Sequence, residues 1–211
     1  MFSWDELKEL TIKPKINDIS LDCLSQYYQN YLYPFIYEYN ISADSGEKKT
    51  LMLSFEKKNF CHLLGIESIA RGHVSNKELQ AYKGDIGWDS IRNGDYELSD
   101  LKALNGNKFR SVKAKFVYFY LLPKLAEKPN AVLFDNSKVI GGTSINSEIV
   151  FYSKVEKDNA IIHLGIDYDK GTSFYYPRSF FVEKKSVVDD DIYISSQESI
   201  EVTVKNRIIT L

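Results

Sequence analysis

The apolar residues of this chain change their spacing at Pro129. Upstream, Phe109, Val112, Phe116, Phe119 and Tyr120 recur at i, i+3, i+7, i+10 and i+11, the stripe of a helix buried along one face. Downstream, 131–134, 148–154 and 159–167 are short strand-like runs. Turn residues separate them, at Gly141-Gly142 and Glu156-Lys157-Asp158-Asn159. A partly extended stretch at 174–181, around Pro177, and strands at 192–194 and 200–209 complete this half. Helices first and a meander second predict an α+β fold, with N-terminal helices packed on an antiparallel four- to six-stranded sheet.

The earlier half carries clear punctuation. Ser20 is an N-cap with Asp22 in the first turn, and Pro34 ends a helix predicted over 20–32. Alternating residues at 35–41 and 50–55, joined by a turn at 43–47, predict a hairpin. A short helix over 56–64 closes at Gly65 in the left-handed capping role. Ser75 and Glu78 form a capping-box pattern, and Ser99 opens a further short helix. The expected organisation is an extension or fold elaboration over 1–50 and one α+β domain over 51–211.

A chain of 211 residues is long enough to bury a core without disulfide or metal staples. Its net charge of −2 argues against a general nucleic-acid coat but permits a local cationic cleft. Cys23 and Cys61 have no CxxC partner, so two reduced thiols are expected. The N-terminus lacks a basic segment followed by an apolar run, and no stretch reaches 18 apolar residues. A soluble, cytoplasmic protein with no membrane association is therefore expected.

Four constellations could carry chemistry. His62, one of three histidines, sits in the apolar turn Asn59-Phe60-Cys61-His62-Leu63-Leu64-Gly65-Ile66, at the margin of the Phe60, Leu63 and Leu64 face or on the other side of the helix. Its imidazole suits general acid–base work, while a local hydrogen-bonding role is the plainer explanation. In Tyr175-Tyr176-Pro177-Arg178-Ser179-Phe180-Phe181, Arg178 could fork a phosphate, Ser179 donate to it, and Tyr176 stack on a base. The plainer explanation is a strand entry anchored by Phe180 and Phe181. Lys170 and Thr172, in a turn where Gly171 is expected to supply positive φ, could border a cleft. Arg110 and Lys113 share a helix face and could guide an RNA backbone, although such faces are usually only solvated. Nucleotide-loop, zinc-protease and serine-esterase motifs are absent. Asp167, Asp169 and the Asp189-Asp190-Asp191 run are the only metal candidates, and a run of this kind is usually solvated.

Two of these segments resemble a known family. Phe60-Cys61-His62-Leu63-Leu64-Gly65-Ile66 and Pro177-Arg178-Ser179-Phe180-Phe181 are similar to motifs of the phage-type Barnase–EndoU–colicin E5/D–RelE-like nuclease family, fourth subgroup. Val132-Leu133-Phe134-Asp135 resembles its first strand, and the resemblance spans about 51–183. It implies helices on a four-stranded antiparallel sheet, with RNA cleaved on the sheet face. His62 matches the family histidine and Ser179 the family serine, whereas Arg178 falls at a variable position. The implied activity is a metal-independent endoribonuclease using 2′-OH transesterification, with no cofactor, in the setting of a toxin or phage and mobile-element conflict protein. An antitoxin or immunity protein is then the candidate partner. A non-catalytic binding or immunity protein on the same scaffold is the alternative. A metal-dependent nuclease using the aspartates is a third reading.

Overall fold

The computed structural model describes residues 1–43, 48–139, 141–184 and 191–210. The chain divides into two compact units, each built from two separated stretches. One comprises Met1–Pro34 and Glu56–Leu121 and is helical; the other comprises Phe35–Phe55 and Leu122–Leu211 and holds the strands.

The helical unit contains α1 (Trp4–Lys8), α2 (Leu21–Tyr31), α3 (Phe60–Leu64), α4 (Ile66–Ala70), α5 (Gly84–Asn93), α6 (Leu98–Leu104) and α7 (Gly106–Tyr118). The Ser20 hydroxyl accepts the Cys23 N–H at 3.0 Å and starts α2, as its sequence predicts. Gly65 ends α3 at φ 75°, and an added Cβ would meet Val112 Cγ1 at 3.2 Å, so both backbone and packing require glycine. The predicted stripe Phe109, Val112, Phe116 and Phe119 is buried. Phe60 anchors α3 among Tyr28, Trp88 and Phe119, with ring centroids 5.2–5.6 Å apart.

The second unit contains β1 (Phe35–Ala43), β2 (Lys48–Ser54), α8 (Leu122–Glu127), β3 (Asn130–Leu133), β4 (Ile149–Val155), β5 (Ala160–Asp169), β6 (Phe174–Lys184) and β7 (Glu198–Ile209). These strands close into a barrel in the order β1-β2-β6-β5-β4-β3-β7. This corrects the expected open antiparallel sheet beneath N-terminal helices. The β1–β2 hairpin forms as predicted, but β2 then pairs in parallel with β6 through Leu53 and Tyr175, and β7 bridges β1 and β3. Closure removes the exposed edges that an open sheet would leave. Pro123 lies in the first turn of α8, where its missing N–H costs little. The segment 192–194, expected to be a strand, is a turn in which the Ile194 and Ser195 N–H groups donate to the Asp191 carbonyl.

Pleating sorts the barrel's two faces. Tyr39 on β1 and Phe151 on β4 belong to strands that are not neighbours, yet their ring centroids lie 5.2 Å apart, so they meet across the interior. Leu164 and Phe180 are in register with Phe151 and share that interior face. The Tyr39 hydroxyl donates to the Ala126 carbonyl of α8 at 2.7 Å, which satisfies the phenol in the core. Tyr152, His163 and Phe181 form the adjacent row and face outward, as do Val150, Gly165 and Ser179.

Candidate functional site

The β5–β6 ladder slips once. Gly165 faces Ser179 and Ile166 faces Pro177, which leaves Arg178 as the extra residue of a β-bulge. The bulge explains how Pro177 fits inside a strand with neighbours on both sides, because its missing N–H falls where the ladder is already interrupted. It also aims Arg178 at Asp167: Nη1 donates to Oδ2 in an ion pair between a half-exposed guanidinium and a mostly buried carboxylate. That hydrogen bond is the main cause holding the Arg178 pKa above its ordinary value, and the Tyr176 hydroxyl adds to it.

A polar chain runs on from this pair. The other Asp167 oxygen accepts the Glu148 N–H at 2.7 Å. The Glu148 carboxylate accepts the Tyr175 hydroxyl at 3.1 Å. Burial and the Glu148 carboxylate push the Tyr175 phenol above its ordinary value, so it stays a donor. Tyr168 packs against Tyr175 with centroids 5.3 Å apart and is itself exposed. One end of the hairpin thus offers a guanidinium in fixed orientation, two carboxylates and three tyrosines. Lys170 and Thr172 lie exposed in the adjoining turn. The left-handed residue there is Ser173, at φ 62°, not Gly171; Gly171 donates its N–H to Asp169 Oδ1 at 2.8 Å instead.

Ser179 behaves differently from its neighbour. Its hydroxyl is buried without a hydrogen-bond partner among the described residues, as is that of Ser147. Both lie over Gly165, where an added Cβ would stand 2.2 Å from Ser147 Oγ and 2.4 Å from Ser179 Oγ. Only glycine leaves room for the two hydroxyls. In this conformation Ser179 Oγ does not reach the exposed face that Arg178 occupies.

In the helical unit, α3 exposes His62 while Phe60, Cys61, Leu63 and Leu64 are buried. Burial pushes the Cys61 thiol up to about 12 and the Cys23 thiol up to about 11, which removes both from nucleophilic roles. Arg110 and Lys113 project together from α7 into an open cleft of about 780 Å³. Lys102 joins them on its rim, and Ile16, Ile19, Leu98 and Phe109 contribute apolar surface. Arg110 Nη2 donates to Asn107 Oδ1 at 2.6 Å, which holds its guanidinium on that side.

The predicted residues therefore fall into two groups. His62, Arg110 and Lys113 belong to the helical unit; Arg178, Ser179, Tyr176, Lys170 and Thr172 belong to the barrel. Glu148 and Ser147 escaped the sequence reading because they reach this face only through the β4–β5 pairing. Of the predicted metal candidates, Asp167 is committed to Arg178 and Asp169 to the turn, while Asp189 and Asp190 lie outside the described residues. Asp191 is buried against His163. Burial works to raise its pKa, but the hydrogen bond and charge of His163 outweigh that and hold it below the ordinary value. No helix among the described residues is long and apolar enough to cross a membrane.

An exposed imidazole, an oriented guanidinium and clustered tyrosines are the groups that phosphodiester-cleaving proteins use. Residues 21–208 match the model of the phage-Barnase-EndoU-ColicinE5/D-RelE like nuclease 4 family. The chain belongs to that family, and its function is of the nuclease type. The match begins well before residue 51 and takes in the β1–β2 hairpin. No curated protein and no solved structure matches the chain.

Proposed function

We propose that the protein is an endoribonuclease that cleaves by transesterification. A base takes the proton of a ribose 2′-OH, O2′ attacks the adjacent phosphorus, and the P–O5′ bond breaks as O5′ gains a proton. The products are a 2′,3′-cyclic phosphate and a 5′-hydroxyl. The nucleophile is supplied by the substrate itself, so this chemistry needs no metal ion.

The observation that carries the proposal is Arg178 on its bulge. Asp167 takes one edge of the guanidinium and fixes its plane, and such a planar fork of donors suits non-bridging phosphate oxygens. Lys170 adds charge from the exposed turn, and Tyr176 and Tyr168 offer faces on which an unpaired base can stack. Ser179 would contribute a donor by turning its hydroxyl out from over Gly165. His62 is the proposed acid–base group on independent grounds, as an exposed imidazole in a family-like motif.

The test is cleavage of cellular RNA by purified protein, with and without EDTA, below the melting temperature and with end-group analysis. Wild type is expected to leave cyclic phosphates in both conditions. His62→Ala and Arg178→Ala are each expected to lose about a hundredfold or more in rate while keeping the native circular dichroism. Full activity in either variant removes that residue from the mechanism. Loss of wild-type cleavage in EDTA, with the fold intact, would favour a metal-dependent reaction.

One observation favours the non-catalytic alternative: Asp167 neutralises Arg178, and the Glu148 carboxylate adds negative charge to the same hydrogen-bonded chain. A binding or immunity protein would not arrest growth when expressed. A toxic ribonuclease would, until a restraining antitoxin or immunity partner was supplied, and His62→Ala would abolish the arrest.

A further inference from the structure

The outward row of the barrel next to Gly165 and Ser179 holds a second cluster that RNA cleavage does not use. His163 on β5 is fully buried and Asp191 is 3 % exposed. Glu183 on β6 is half-buried beside them. One ligand atom from each of the three lies within 4.8 Å of the others, and His163 Nε2 is 2.8 Å from Asp191 Oδ2. Donor atoms held at about 2.0–2.2 Å from one zinc ion stand about 3–4 Å apart, so the cluster needs little contraction to surround an ion.

We infer that His163, Glu183 and Asp191 form a buried site for one divalent transition-metal ion of the zinc type.

Charge is the first reason. The two carboxylates together balance the charge of one divalent cation. The second reason is His163 Nδ1, which is buried and has no hydrogen-bond partner among the described residues. A metal ion would give the ring a partner that no hydrogen bond supplies. Thirdly, the surroundings hold the ligands still. The Tyr193 N–H donates to Asp191 Oδ1 at 2.8 Å and the Ser195 hydroxyl to the Asp191 carbonyl at 2.6 Å. Phe181 stacks on the His163 ring with centroids 4.3 Å apart and planes 3° from parallel, and Tyr193 covers its edge. Partners of this kind orient metal ligands and exclude water. An imidazole among the donors selects zinc-like ions over magnesium and calcium, which favour all-oxygen shells. The ion's role is structural: it ties the 191–197 turn to β5 and β6 from outside the barrel.

The experiment is calorimetric titration of Zn²⁺ into EDTA-stripped, desalted protein of full length, with Mg²⁺ as control and thermal melting alongside. Wild type is expected to bind one equivalent of Zn²⁺ and to melt at a higher temperature with it, and Mg²⁺ to do neither. His62→Ala and His73→Ala are expected to bind like wild type, which separates this site from surface histidines. Glu183→Gln keeps the side-chain shape and is the decisive variant, since His163→Gln also removes core contacts. It is expected to fold and to bind at least tenfold more weakly. Folded wild type that takes up no Zn²⁺, or a Glu183→Gln variant that binds as tightly as wild type, overturns the assignment. Neither result touches the ribonuclease test, because the readout here is binding and melting.

Discussion

Gly165 is the single residue that most constrains the outer face of β5–β6. An added methyl would meet Ser147 Cβ at 2.9 Å as well as the two hydroxyls, and rotating a hydroxyl does not move that Cβ. Gly165→Ala is expected to cost about 1–3 kcal/mol of stability, read as a lower urea midpoint. Combining it with Ser147→Gly should return part of that loss, because the two changes share one small volume. Unchanged stability in Gly165→Ala would mean that the hydroxyls are not packed against it. None of this was legible in the sequence. Gly165 reads there as a glycine within a strand, and Ser147 as part of a loop. Gly65 was legible, because a glycine closing an apolar helical turn has a local signature that owes nothing to distant partners. For His62, helical periodicity left two places open, the margin of the Phe60, Leu63 and Leu64 face or the other side of the helix, and the structure exposes it.

At the scale of elements, most helix ends and the β1–β2 hairpin followed their local rules, but α6 starts at Leu98 with Glu97, not Ser99, before it, and other departures came where a partner strand decided the outcome. Ser20 caps α2 and the Ser75–Glu78 capping box forms, with the Ser75 N–H donating to Glu78 at 2.9 Å. The segment 192–194 has β-branched and aromatic residues suited to a strand. Asp191 draws its backbone into a turn instead. Pro177 suggested a broken or marginal strand, yet β6 is continuous over Phe174–Lys184 because the bulge absorbs the proline. The bulge also makes a specific deletion tolerable. Removing Arg178 takes out the extra residue of the β5–β6 bulge, so Pro177 and Ser179 keep facing Ile166 and Gly165. Removing Phe180 instead shifts one side of the pairing by a residue and turns inward side chains outward. The expectation is that the Arg178 deletion folds, with native circular dichroism and cooperative melting, but fails to cleave RNA. The Phe180 deletion should not fold. An Arg178 deletion that unfolds would show that the bulge is needed for stability and not only for aiming the guanidinium.

For the whole molecule, the misjudged feature was closure. An antiparallel meander is written in the sequence as consecutive runs and turns, but the pairs that close this barrel join Leu53 with Tyr175 and the β1 strand with β7, across most of the chain. No local pattern encodes them. Whole-chain charge was equally uninformative about the site: the net is −2, while the candidate cations belong to two units. Lys170 and Arg178 belong to the barrel, and Arg110 and Lys113 to the helical unit. Salt dependence can count how many of them meet RNA. Each phosphate neutralised on a single strand contributes about −0.7 to the slope of log affinity against log salt. If only Lys170 and Arg178 engage, the slope should be about −1.4, and if Arg110 and Lys113 engage as well, about −2.8. The measurement is binding of a short single-stranded RNA carrying 2′-deoxy linkages, which cannot be cleaved, across a series of salt concentrations. Arg178→Ala should make the slope shallower by about 0.7 in either case. Lys113→Ala should do so only if the α7 cations take part. A wild-type slope near zero would mean that no phosphate is bound through charge, and the weight would then fall on the binding-protein alternative.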